Sequence, residues 1–254
     1  MIKYKWLIKG RTKKHGNFIL SKNNFDYADP FILNNRYILF EKLNHQEKIG
    51  RIYCYDLDKK IEYLLLDNGR HLSFPFIFKD DNQIFVLPEE VYLNKLSRYE
   101  IIIDSNENLK IKNNSEFVIK KGRIVDSMFL RINDKILMLY NEDLGPTGDP
   151  GSFLKIAEIE LNSWQIKKDF ILSADSRICR NAGLFTIHKN NIFFATQNRV
   201  AGVYGCGFYI NKLILDKNRY CFKQTYKKYQ NSGIHHIFVE PKKDGIIWDK
   251  NLYL

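Results

Sequence analysis

One short pattern recurs five times along this chain of 254 residues and constrains its fold more than any other feature. Each copy holds a polar residue, an anchoring Phe, a tight turn rich in Asn, Asp or Gly, and an apolar strand. The copies begin at Asp29-Pro-Phe, Ser73-Phe-Pro-Phe, Asp126-Ser-Met-Phe, Ala182-Gly-Leu-Phe and His235-His-Ile-Phe, with Phe31, Phe76, Phe129, Phe185 and Phe238 as anchors. The anchors fall roughly 50 residues apart, the period of a propeller blade. The expected fold is therefore all-β, a five-bladed β-propeller, with residues 1–254 forming a single domain.

The intervening segments support this reading. Asn34-Asn35, Asp80-Asp81-Asn82, Asn133-Asp134, Asn190-Asn191 and Asp244-Gly245 occupy the same place in each repeat. These residue types accept the positive φ of a tight hairpin turn, so each marks the step from a blade's first strand to its second. Outer strands are expected at Ile49–Tyr55 and Ile61–Leu66, Val91–Leu96 and Tyr99–Ile103, Phe153–Leu161 and Trp164–Leu172, and Phe208–Leu215 and Tyr220–Tyr226. No long stretch carries a helical period. The fifth copy runs out of chain soon after Trp248, while strand-like segments (Lys3–Lys9, Asn17–Leu20) precede the first copy. A wheel without an open edge needs those N-terminal strands to pair with the last blade and close the ring.

Composition narrows the function. Hydrophobic residues make up 44% and aromatics 14%, which suits a packed β protein and excludes a disordered chain. No apolar run is long enough to span a membrane, and the start is too charged for a signal peptide. The expected location is the cytoplasm. Cys54, Cys179, Cys206 and Cys221 form no C-x-x-C pair and read as reduced thiols. Net charge is +11, with basic clusters at Lys9–Lys14, Lys110–Arg123, Lys223–Lys228 and Lys242-Lys243. Such a surface draws anions: nucleotide sugars, phosphorylated glycans or a membrane face. With no nucleic-acid module visible, nucleic acid is not an expected partner.

In a propeller the innermost strand of every blade lines the central channel. The residues just ahead of each anchor are Asp29, His71 with Ser73, Asp126, Arg180, and His235 or His236. Chemically distinct charged residues at one recurring position point to a ligand site. Structural alternatives stand beside this: Asp29 as a cap on a tight strand entry, Asp126 as a backbone anchor, and one of the two adjacent histidines as packing. The glycine- and proline-rich loop Gly145–Gly151 lacks the following helix that a phosphate cradle needs. The one Asp-x-Asp match, Asp56-Leu-Asp58, falls in a hairpin turn. Neither a metal nor a cofactor is expected.

Seven elements in order carry a family resemblance. They are Ala28-Asp-Pro-Phe, His71-Leu-Ser-Phe-Pro-Phe-Ile-Phe, Leu87-Pro-Glu-Glu, Asp126-Ser-Met-Phe, Arg180-Asn-Ala-Gly-Leu-Phe, Gln197-Asn-Arg with Tyr204-Gly205, and Gly233-Ile-His. Together they resemble the N-terminal domain of the glucosamine inositolphosphorylceramide transferases and their bacterial relatives near surface-polysaccharide genes. More distantly, the chain resembles the arabinanase and β-xylosidase propellers. In those glycosidases the blade-one Asp is the general base, which Asp29 matches. A blade-three carboxylate is the general acid, for which Asp126 stands nearest. The place of the blade-two carboxylate that tunes the acid is held by Phe74, with Glu89 or Glu90 as replacements.

The resemblance implies Asp29 and Asp126 as catalytic residues. His71, Glu89, Arg180, Gln197, Arg199, Tyr204 and His235 are then substrate contacts. Arg180 and Arg199 suit phosphate or carboxylate, and His71 and His235 suit phosphate contact or acid–base work. Gln197 and Tyr204 suit sugar hydroxyls. Three functions follow: glycosyl transfer from an activated donor during surface polysaccharide or glycan synthesis, sugar recognition on behalf of a separate glycosyltransferase partner, and glycoside hydrolysis or phosphorolysis.

Overall fold

The computed structural model describes residues 4–253 apart from 81, 91–95, 118–122, 144–152, 161–162, 176, 199–205, 217–218, 230–232 and 241–244. Twenty strands, numbered in chain order, make five four-stranded antiparallel sheets, and the fold class is the five-bladed β-propeller that the repeat predicts. Among the described residues no helix is long and apolar enough to cross a membrane.

Two compact units divide the chain: Met1–Glu90 with Ser97–Glu116 and Ile237–Leu254, and Val91–Leu96 with Phe117–His236. The first unit opens with the hairpin β1 (Tyr4–Thr12) and β2 (Gly16–Leu20). Its first complete sheet is β3 (Phe25–Leu33), β4 (Tyr37–Asn44), β5 (Gly50–Asp56) and β6 (Ile61–Leu66). The next is β7 (Ser73–Asp80), β8 (Gln83–Glu89), β9 (Leu96–Ile103) and β10 (Leu109–Phe117). The second unit carries β11 (Arg123–Ile132) to β14 (Ile166–Ser173), and β15 (Asn181–His188) to β18 (Arg219–Tyr229). Within them lie β12 (Lys135–Asp143), β13 (Phe153–Glu160), β16 (Asn191–Gln197) and β17 (Gly207–Asp216). The last sheet, in the first unit, joins both chain ends in the order β19 (Ile237–Glu240), β20 (Gly245–Tyr253), β1, β2. The N-terminal strands do complete the last blade: Tyr4 to Arg11 pair with Tyr253 to Ile246.

The turns follow their residue types. Asn34 and Asn35, Asn133, and Lys189 with Asn190 all have positive φ, between 47° and 59°. Asp81 and Asp244 lie outside the described residues. Asp56 is a turn anchor: fully buried, it accepts from Arg36 Nε (3.0 Å) and Nη2 (2.9 Å) and from the backbone of Asp58 and Lys59. Ile8, Tyr27, Ile38, Phe40 and Ile247 pack into one core cluster of the first unit, so the N- and C-terminal strands share its interior.

Two expectations need correction. In the second sheet, β9 starts at Leu96 and the outermost strand is β10. The expected strand Val91–Leu96 overlaps β9 only at Leu96, and 91–95 lie outside the described residues. The segment from Lys110 reads as a charge cluster because an edge strand leaves its side chains in water. The second correction concerns the third anchor. Phe31 and Phe76 stand opposite Leu39 and Leu87, but in β11 the matching residue is Met128, opposite Leu139. Phe129 is buried one step on and points to the other side of the sheet, against Trp164 (ring centroids 5.9 Å).

Candidate functional site

Four inner strands, β3, β7, β11 and β15, break their register at the same place. Between Ala28 and Phe31, Ser73 and Phe76, and Val125 and Met128, two inner-strand residues face one on the second strand. The first extra residue takes the left-handed conformation: Asp29 at φ 49°, Phe74 at 46° and Asp126 at 50°. This is the bulge position that ordinarily takes glycine. In β15 the break between Asn181 and Phe185 holds one more residue, and glycine is present: Gly183 at φ 86°. Asp29, Phe74 and Asp126 are therefore true structural equivalents, which the Phe129 anchor concealed by one residue.

The second strand has its own recurring position, which sequence reading identified only in Glu89. Opposite the residue before each break stand Glu41, Glu89, Asn141 and Thr196, all buried. In β20 the same offset from the Phe238–Ile247 pair gives Asp249, with no exposed surface. The signal was present as an apolar residue, any residue, then a polar one: Leu39-Phe-Glu41, Leu87-Pro-Glu89, Leu139-Tyr-Asn141, Phe194-Ala-Thr196, Ile247-Trp-Asp249. Two of these side chains, Asp249 and Asn141, reach the inner strand of another sheet. The backbone N–H of Asp29 donates to Asp249 Oδ2 (3.1 Å), and that of Asn181 donates to Asn141 Oδ1 (2.9 Å).

In the first unit, Asp29 is buried (8% exposed) beside Asp249, and one carboxylate oxygen from each lies within 4.8 Å of the other. His71 completes the group. Its Nδ1 accepts the backbone N–H of Gly50 (3.0 Å), and its Nε2 stands 3.5 Å from Glu41 Oε1. Burial pushes the imidazole below the usual histidine range, and the nearby Asp29 charge only partly offsets this. His71 is thus a neutral donor through Nε2. Glu89 sits at the recurring second-strand position, whereas Glu90 is held by Tyr99, whose hydroxyl lies 3.2 Å from Glu90 Oε1.

In the second unit, Arg180 Nε lies 2.7 Å from Asp126 Oδ2, and Nη2 lies 3.4 Å from Oδ1. The short approach is an ion pair set off the best hydrogen-bond line, and it counters the guanidinium charge within the protein. Asn181 Nδ2 donates to the Asp126 carbonyl (2.8 Å), fixing that bulge. Gln197 lies alongside: its Nε2 donates to the Asn181 carbonyl (3.0 Å) and its backbone N–H to the Arg180 carbonyl (2.7 Å). Tyr209 Oη donates to Asn198 Oδ1 (3.0 Å). His235 and His236 are both buried, and His236 is the packed one, its ring lying directly over Gly183 where a Cβ would collide. Arg199, Tyr204 and the Gly145–Gly151 loop lie outside the described residues.

The structure thus brings Asp29 and His71 together in one unit with Glu41 and Asp249. In the other it brings together Asp126, Arg180 and Gln197. The first group holds buried carboxylates and a neutral imidazole, able to accept from and donate to hydroxyls. The second is a neutralised ion pair among carboxamides.

Comparison with known proteins bears on both. The chain matches the family described as glucosamine inositolphosphorylceramide transferase 1, N-terminal, over residues 18–251. Glucosamine inositolphosphorylceramide transferase 1 of Arabidopsis thaliana is 26% identical over 206 residues, covering 76% of this chain and 26% of that protein. The protein of the same name from Oryza sativa subsp. indica is 27% identical over 244 residues, covering 89% of this chain and 30% of its own. The chain therefore spans less than a third of the length of these curated relatives. Among solved structures, the alpha-L-arabinofuranosidase from Lactobacillus brevis shares the fold at a TM-score of 0.57 and 13% identity, over 88% of this chain and 83% of that one. With the family's pattern matched across nearly its whole length on a five-bladed frame, this chain belongs to the glucosamine inositolphosphorylceramide transferase 1 N-terminal family.

Proposed function

We propose that this chain is a carbohydrate-active propeller that works in glycan assembly, taking part in glycosyl transfer from an activated, anionic sugar donor. The observation that carries the reading is the match over residues 18–251 to the N-terminal part of a protein named as a transferase. The residue assignment belongs to the same proposal. Asp29 and Asp126 carry the chemistry, and His71, Glu89, Arg180, Gln197, Arg199, Tyr204 and His235 contact the sugar or its activating group. So does its setting, the cytoplasmic side of surface-polysaccharide synthesis. Hydrolysis draws less support. Phe74 occupies the bulge position equivalent to Asp29 and Asp126, and Asp126 is engaged by Arg180, a poor arrangement for a proton donor.

A second reading is favoured by one observation. The matched segment covers only 26% and 30% of the two relatives, so a recognition module serving a separate transferase fits equally well. Purified protein incubated with a panel of nucleotide sugars and glycan acceptors, with products followed by mass spectrometry, separates the readings. Transfer that disappears in Asp29→Asn with the fold intact supports catalysis. Saturable sugar binding without turnover supports recognition. Free sugar released from neutral oligosaccharides replaces both with hydrolysis, and neither binding nor turnover across the panel overturns the carbohydrate reading.

A further inference from the structure

The outermost strand of a sheet presents a row of backbone N–H and C=O groups with no neighbour, and proteins guard such edges with lysines, prolines or brevity. Four of the five outermost strands here are guarded. β2 is five residues long, β10 carries Lys110 and Lys112, β14 carries Lys167 and Lys168, and β18 carries Arg219 and Lys223. β6 is not. Ile61-Glu-Tyr-Leu-Leu-Leu66 holds no lysine, arginine or proline, and among the described residues it ends its sheet. Its one charge is already engaged: Glu62 accepts from Tyr27 Oη (2.8 Å) and pairs with the buried Lys42.

A groove of about 530 Å³ lies beside this edge, between β6 and the start of β10. Ile61, Tyr63, Leu64 and Leu65 line it from one strand, and Leu109 and Ile111 from the other. Tyr63 ties the two strands together, its hydroxyl accepting the Leu109 N–H (2.9 Å). Ile61 and Leu64 are 44% and 47% exposed. An unguarded edge next to an apolar groove supplies the two parts of strand addition, backbone pairing and places for alternate side chains.

The chemistry of the occupant follows from the edge and from the charge. A hydrocarbon tail would fill the groove but cover the edge N–H and C=O groups without bonding them. An extended polypeptide bonds to the edge while every second side chain drops into the groove. The head of β6 sets the flanks. Lys59 is held by neutral oxygens, Asn108 Oδ1 (2.9 Å) and the carbonyls of Asn106 and Glu107. Lys60 is exposed and has no ion pair among the described residues. Lys110, by contrast, is balanced by Asp104 (2.6 Å). Two cations without a carboxylate, next to an apolar groove, complement an acidic flank. We propose that β6 and its groove are a docking site for an extended segment of a partner protein, apolar at alternate positions and acidic where it meets Lys59 and Lys60. The segment adds to the sheet as a fifth strand. The inference stands apart from the carbohydrate reading.

The test is amide 15N NMR on the full chain, titrated with a blocked heptapeptide of alternating valine and threonine ended by aspartates. Two control peptides accompany it, one with its three central residues replaced by proline and one ended by lysines. The aspartate-ended peptide is expected to bind saturably and to shift the signals of Ile61–Leu66 and Leu109–Ile111, and both controls to bind at least about tenfold more weakly. Leu64→Lys, at an exposed position and checked by thermal melting, places a guard on the edge and weakens binding about tenfold. Lys60→Glu shifts the preference toward the lysine-ended peptide. No binding, shifts confined to other strands, or affinity within about twofold for the proline peptide or for Leu64→Lys overturns strand addition. An unchanged preference in Lys60→Glu overturns the acidic flank. Co-sedimentation with phosphatidylglycerol vesicles that Leu64→Lys abolishes replaces the partner with a membrane, and a dimer that Leu64→Lys splits replaces it with a second copy.

Discussion

At the scale of single residues, the site is built from conformations that side chains avoid. A residue with a Cβ in the left-handed region costs about 1–2 kcal/mol, and Asp29, Phe74 and Asp126 each accept it. The cost is borne because partners fix the bulges from outside, Asp249 on the Asp29 amide and Asn181 on the Asp126 carbonyl. Where glycine holds such a place, its freedom is used. Gly183→Ala adds a methyl in the left-handed region directly against the His236 ring. A loss of roughly 2–4 kcal/mol is expected, measured by urea denaturation. Arg180→Ala removes the ion-pair partner of the nearly buried Asp126 carboxylate, with an expected loss of about 2–4 kcal/mol. Asp126→Asn in the same background is expected to recover part of it, and a double-mutant cycle reads the coupling. His71 sets a pH dependence. Its folded pKa is lowered, chiefly by burial, so the unfolded chain binds the proton more readily. Its contribution is present above about pH 6.5 and is lost as pH falls through the lower, folded value. Urea midpoints for the parent and His71→Gln are expected to converge in acid and separate toward neutral pH.

At the scale of elements, the instructive strand is β20. It pairs on one side with β19 and on the other with β1, so the last blade exists only when the two chain ends meet. Ile8 lies fully buried midway along that pairing, in the cluster with Phe40 and Ile247. Ile8→Ala is expected to cost about 2–5 kcal/mol, read from the denaturation midpoint, although the residue belongs to a strand remote from the site in sequence. β20 itself supplies Asp249 to Asp29. Sequence reading found this pairing because an incomplete fifth repeat demands a partner. It overlooked β10 because Lys110-Ile-Lys-Asn-Asn-Ser-Glu116 is almost wholly polar and offers one apolar residue where a strand signal needs several.

At the scale of the whole molecule, the four thiols provide a check on the packing. Cys54 and Cys179 have no exposed surface, and burial holds the Cys54 thiol up at about 12. Cys206 is half-buried, and Cys221 is exposed on the edge strand β18. Alkylation of the native protein is expected to label Cys221 first and Cys206 more slowly, while Cys54 and Cys179 react only after denaturant is added. Peptide mapping by mass spectrometry reads the order, and early labelling of Cys54 would contradict the packing of the first sheet.

What the amino-acid sequence determined by itself was whatever repeats locally: five copies of a strand–turn–strand pattern, Asn-rich turns, the blade-start residues Asp29, His71, Asp126 and Arg180, and the family. Repetition is legible because every blade solves the same packing problem with the same spacing of apolar residues. Tertiary structure alone decided the partners. That Asp249 holds Asp29, that Gly50 and Glu41 orient His71, and that Arg180 is occupied by Asp126 depend on which backbones approach each other and at what register. A hydrogen bond between strands 220 residues apart leaves no mark on the composition of either, because its strength comes from an angle and a distance that only the folded chain sets.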